Sequence, residues 1–139
     1  MKFSLEWLLN IKQNELSSIE LELTTINSSI AHNQDMQESN KQAILKFQSQ
    51  LYNCYETWYI FPVVRSIENL ESVNAKLQKE LTFLLKDKEM ILNRYNNKHT
   101  EIKLLEKAKS NFLTKEKERI DKKEQAEIQE LSLITRKEN

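Results

Sequence analysis

Apolar residues recur at intervals of three and four from the start of the chain: Leu5, Leu9, Leu16, Ile19, Leu23, Ile26 and Ile30, with Lys12 the one polar residue in the row. The same phase carries through Asn33, Gln37 and Asn40 to Ile44, Phe47, Leu51, Cys54, Trp58 and Phe61. It holds for eight heptads without a stutter. That spacing keeps one narrow apolar stripe on one helix face, the pattern of a coiled coil. A second phase runs Val63, Ile67, Leu70, Asn74, Leu77, Leu81, Leu84, Lys88, Ile91, Tyr95, Lys98, Ile102, Leu105, Lys109 and Phe112, and from Leu113 it slips by one to Ile120, Leu131 and Ile134.

The two phases do not join. Phe61 and Val63 are two residues apart, and Pro62 stands between them. Proline has no amide proton and disfavours helical geometry in the residue before it, yet it suits the first turn of a new helix. The pattern therefore predicts an all-α fold with two long helices in an antiparallel coiled-coil hairpin, the second longer than the first. The expected bounds are a helix over about 2–59, a turn at about 59–64 and a helix over about 63–135, all in one domain. A continuous helix kinked at Pro62 and pairing as a parallel dimer is the alternative.

Folding about residue 61 would bring position i opposite roughly 123 − i. Leu5–Leu16 would then face about 107–118, and residues after about 120 would overhang. The polar seam positions Asn33, Gln37 and Asn40 would face Lys88 and its neighbours. Polar groups in a seam weaken it and fix its register; a functional hinge is the other reading.

Composition fits this picture. The 139 residues include no glycine and one proline, whereas average usage would supply roughly ten glycines. Tight turns, β-bulges and phosphate-cradling loops are thereby nearly excluded. Charged residues make up 30% and hydrophobic ones 39%, lean for a globule but suited to helices that bury one seam. The 21 basic and 21 acidic residues cancel, which predicts neither a nucleic-acid binder nor a membrane-surface binder. Residues 1–62 carry 4 basic and 7 acidic groups and residues 63–139 carry 17 and 14, a modest complementarity for a chain folding back on itself.

The lone Cys54 excludes an internal disulfide framework and suits a reducing cytosol. The longest apolar run, Trp58 to Val64, is far short of the roughly 20 residues of a membrane span, and no secretory signal is expected because Leu8 and Leu9 are followed at once by Asn10, Lys12 and Gln13.

No catalytic constellation stands out. In the expected register His32 and His99 do not meet, and His32 with Asp35 supplies two ligands where a metal site needs more. Cys54 falls in the seam, where a small buried residue is the default. Asn27-Ser28-Ser29 matches a glycosylation acceptor by pattern only. Lys115-Glu116-Lys117-Glu118-Arg119 reads as a solvated helix face of alternating sign or as a basic docking surface.

Two features ask for partners. Tyr52, Tyr55, Trp58, Tyr59 and Phe61 cluster beside the turn; a two-helix seam takes Trp58 and Phe61 inward and leaves the tyrosines partly exposed, either as a contact surface or as a cap over the tip. In the overhang, Ile128, Leu131 and Ile134 lack an intrachain partner.

The two ends of the chain carry a resemblance. Phe3-Ser4-Leu5-Glu6-Trp7-Leu8-Leu9-Asn10-Ile11-Lys12, with Glu15 after it, resembles the opening of the FliJ family of flagellar export proteins. Lys123-Glu124-Gln125-Ala126-Glu127-Ile128-Gln129-Glu130-Leu131-Ser132 is similar to that family's K-E-Q-K-E-L-D-E-L-A signature, with Gln129 and Ser132 as departures. The resemblance implies a non-enzymatic, central-stalk-like coiled coil of the type III export apparatus, monomeric when isolated, without a cofactor or metal. It implies binding to a hexameric export ATPase through Leu5, Leu8, Lys12, Glu15, Arg119, Lys122, Lys123 and Glu127. It implies a second contact, with the cytoplasmic domain of a membrane export gate or with export chaperones, through Phe47, Leu51, Tyr55, Trp58, Tyr59, Ile67 and Leu70. Such a protein is cytoplasmic, held at the inner-membrane face of the apparatus without inserting into it. The equivalent stalk protein of a virulence secretion system, or a self-associating coiled-coil adaptor, would use the same architecture.

Overall fold

A computed structural model describes residues 3–53 and 57–138, with the side chains of 57, 137 and 138 outside the description. Two helices account for nearly all of it: α1, Glu6–Tyr52, and the longer α2, Thr57–Glu138. They pack against each other, so α1 and α2 are two elements and not one kinked helix. α1 starts where the Glu6 amide donates to the Phe3 carbonyl at 3.1 Å, with the Glu6 carboxylate in the first turn, where the helix dipole favours an anion. With no glycine to break them, both helices also absorb their hydroxyl residues. Thr24, Thr25, Ser66, Thr82 and Thr100 each donate back to the carbonyl four residues earlier.

The contacts divide the chain into two units, one of Met1–Ser17 with Asn96–Asn139 and one of Ser18–Tyr95. In the first, Leu9 and Ile102 are buried and Leu16, Leu105 and Phe112 half-buried. The Phe3 and Phe112 rings meet at a centroid distance of 5.8 Å. In the second, Ile19, Ile30, Val63, Ile67 and Leu81 are buried, and Leu23, Ile26, Ile44, Phe47, Leu51, Leu70, Leu77, Leu84 and Ile91 are half-buried. These are the residues that both heptad phases mark.

The bounds differ from the sequence expectation. α1 stops at Tyr52 and α2 begins at Thr57, so the 59–64 stretch expected to turn is helical and Pro62 lies inside α2. The second apolar phase extends backward through Pro62 to the half-buried Ile60, giving 60, 63 and 67 the spacing of one helix face. Trp58 and Phe61 therefore sit off that face. They are 70% and 80% exposed rather than inside the seam, and Tyr52 is exposed as expected. Cys54 and Tyr55 lie outside the described residues.

Register shifts with the bounds. In the first unit Glu6 pairs with Lys109, Lys12 with Glu101 and Glu15 with Lys98. In the second, Glu22 pairs with Arg94 and Asn40 with Asn74. Within each unit, then, residue i faces roughly 114 − i, not 123 − i. Asn33, Gln37 and Asn40 accordingly face the Asn74–Leu77 turn instead of Lys88, and Leu5–Leu16 faces about 98–109.

Candidate partner-binding surfaces

α2 loses its partner soon after Phe112. Glu116 is the last half-buried side chain, and every described side chain from 117 to 136 is exposed. The bare stretch thus begins at about 117, close to the expected 120, beyond the point where the start of α1 lies beside Lys109 and Phe112. Ile120, Ile128, Leu131, Leu133 and Ile134 all stand in solvent there. Arg119 is held within its own helix, with Nη2 3.2 Å from Oε2 of Glu116, so part of the charge run is an i, i+3 pair on one face.

The residues of the first expected contact do not form one patch. Leu5 and Leu8 line the start of α1, whereas Lys122, Lys123 and Glu127 are exposed along bare α2. Arg119 lies seven residues beyond Phe112, about 10 Å farther along the helix. Lys12 and Glu15 are already engaged. The Lys12 ammonium lies 3.0 Å from Glu101, and Lys98 bridges Glu15 while lying 3.6 Å from Glu101. The Lys98 hydrogen bond holds the Glu15 carboxyl below the usual range, the Lys12 hydrogen bond does the same for Glu101, and the Glu15 bond raises Lys98.

The second expected contact also divides. Phe47, Leu51, Ile67 and Leu70 are seam residues with buried or half-buried side chains. Trp58 and Tyr59 remain at the surface, with ring centroids 5.8 Å apart edge to face, and the Tyr59 hydroxyl donates to Gln50 at 3.3 Å. Phe61 and Tyr52 are exposed in the same neighbourhood.

The seam of the second unit holds an amide relay. Asn33, 4% exposed, donates through Nδ2 to the Leu77 carbonyl at 2.9 Å and accepts from Gln37 at 2.7 Å. Asn40 donates to Asn74 Oδ1 at 2.9 Å, and Asn74 donates to the Gln37 carbonyl at 3.3 Å. Each amide finds a partner across or along the seam, which offsets its desolvation.

Sequence periodicity missed a groove of about 390 Å³ beside that relay, lined by Ser29, His32, Met36, Leu77, Phe83 and Leu84 among others. Its only advance signal was Met36 and Phe83, apolar residues outside both phases. Among the described residues no group of three or more His, Cys, Asp or Glu is gathered as for a metal ion, and no helix is long and apolar enough to cross a membrane. No family model, curated protein or solved structure matches the chain.

Proposed function

We propose that α1 and α2 form an antiparallel coiled-coil hairpin that serves as a FliJ-like stalk in type III protein export. The observation that carries this reading is the bare end of α2. A stretch of some 20 residues has every described side chain exposed, displays five large aliphatic side chains, and bears the Lys123–Ser132 motif that resembles the family's signature. An amphipathic helix in that condition acquires stability by entering a groove of another protein. The cognate groove is the pore of a hexameric export ATPase, which the stalk binds and stimulates without chemistry of its own.

The surface at Tyr52, Trp58 and Phe61 supplies the second contact, with the cytoplasmic domain of an export-gate protein or with export chaperones at the inner-membrane face. Large exposed aromatics are the side chains that most often anchor protein interfaces. Lys122, Lys123 and Glu127 are free to contact the ATPase; Lys12 and Glu15 act instead in holding the paired end together. A virulence-type secretion stalk remains the same proposal in a different apparatus.

Affinity capture with the full-length chain from its native cell tests the assignment. Recovery of an export ATPase, lost with a chain ending at Glu116, is the expected result. Recovery of neither an ATPase nor a gate component would refute it.

A further inference from the structure

Where α1 stops and α2 starts, the side chains in solvent are aromatic. Tyr52 ends α1 almost fully exposed, and Trp58 and Phe61 stand exposed in the first two turns of α2. Trp58, Phe61 and Arg65 are spaced i, i+3 and i+7, which puts them on one face of the helix, and all three are exposed. That face points away from the seam because Ile60, Val63 and Ile67 occupy the seam side. Tyr59 packs edge to face on Trp58 and gives its hydroxyl to Gln50, so the patch mixes apolar rings with polar handles.

Charge in this region is one-sided. Residues 39–67 carry Lys41, Lys46 and Arg65 against a single acid, Glu56, although the chain as a whole is neutral. Lys46 and Arg65 are exposed. Arg65 follows Phe61 by one turn, and Lys46 lies six residues before Tyr52, about 9 Å back along α1. Aromatic rings at the end, with cations a turn or two behind them, match the layers of an anionic bilayer. Tryptophan and tyrosine settle at the boundary between headgroups and acyl chains, and lysine and arginine reach the phosphates above it. The bare end of α2 lacks both features: residues 117–136 hold five basic and five acidic residues and no aromatic.

We infer that Tyr52, Trp58 and Phe61 seat in the interface of an anionic lipid bilayer, with Lys46 and Arg65 against the headgroup phosphates. The contact is peripheral. Side chains enter to headgroup depth, and no described helix is long and apolar enough to cross. This inference goes beyond the stalk reading and does not rest on it, and its test needs no ATPase.

The test offers the full chain vesicles of phosphatidylcholine with about one phosphatidylglycerol in four, and vesicles of phosphatidylcholine alone. In Trp7→Phe the Trp58 emission should shift to the blue on the anionic vesicles, and the chain should pellet with them. In Trp58→Phe the Trp7 emission should stay where it was. Neutral vesicles, added salt or Arg65→Glu should each weaken binding several-fold. Trp58→Ala with Phe61→Ala should weaken it at least tenfold while helix content by circular dichroism is kept, since both side chains lie outside the seam. A chain ending at Glu116 should pellet as the full chain does. Absence of both blue shift and pelleting on the anionic vesicles overturns the inference, assigns the patch to a protein partner and leaves the stalk reading standing. Equal binding to both kinds of vesicle, full binding by the double variant, or loss of binding on truncation at Glu116 overturns it as well.

Discussion

Asn40 and Asn74 meet side chain to side chain across the helix seam, with Nδ2 of the first 2.9 Å from Oδ1 of the second. Asn74 then donates to the Gln37 carbonyl, and Gln37 to Asn33, which reaches back across to Leu77. The relay ties α1 to α2 at two points and gives a seam of otherwise interchangeable heptads one matching position.

Asn33→Ala should destabilise the fold by about 1–3 kcal/mol, because it leaves the Gln37 amide without its acceptor in a buried site. The joint change Asn40→Leu with Asn74→Leu should instead be neutral or raise Tm, since both partners are replaced by packed aliphatic groups. Urea unfolding of the two variants measures both effects. Equal loss of stability in both would contradict this account of the relay.

The paired end should respond to pH at both extremes. Glu15 and Glu101 titrate below their ordinary value of 4.5 through the Lys98 and Lys12 hydrogen bonds, so their stabilisation is present above pH 4.5 and fades as pH falls through the lowered folded values. Lys98 titrates above 10.5 through its Glu15 bond, so its share is complete below pH 10.5 and is lost as pH rises through the raised value. Tm followed by circular dichroism should be flat between these limits and fall outside them. Glu15→Gln should blunt the acid limb, and added salt should lower the plateau slightly because the Glu15 and Glu101 carboxylates are about half exposed.

Pro62→Ala should raise the Tm of the native chain. In α2 the proline forgoes a hydrogen bond to the Trp58 carbonyl and crowds that turn, an interior cost of about 3 kcal/mol that is smaller this near the helix start. An unchanged or lowered Tm would mean that 57–62 is not helical in solution.

The seam was legible in the sequence almost residue by residue. From Leu9 to Leu51 and from Val63 to Phe112, every position of the two apolar phases has a buried or half-buried side chain, Lys12, Lys98 and Lys109 included, and only Ala43, Val64, Ser66 and His99 join them from outside the phases. Register was not legible, because a heptad pattern is unchanged by a slide of seven residues and the choice falls to side-chain pairs such as Asn40–Asn74. The reversal was misplaced for a related reason. Pro62 is a turn signal by local preference, but continuing the second phase to Ile60 places it inside a helix. The error carried Trp58 and Phe61 inward, when their exposure is what makes that neighbourhood a contact candidate. The bare end of α2 was foreseen from its unpaired Ile128, Leu131 and Ile134, with a start within a few residues of the observed one.

Titration of an export ATPase from the same cell tests the central claim most directly. ATP hydrolysis should rise to a plateau as the full-length chain is added. A chain ending at Glu116 should give no rise, while keeping the thermal unfolding of the paired seam, because every described side chain from 117 to 136 is exposed. Full stimulation by the shortened chain, or none by the full-length one, would contradict the stalk assignment.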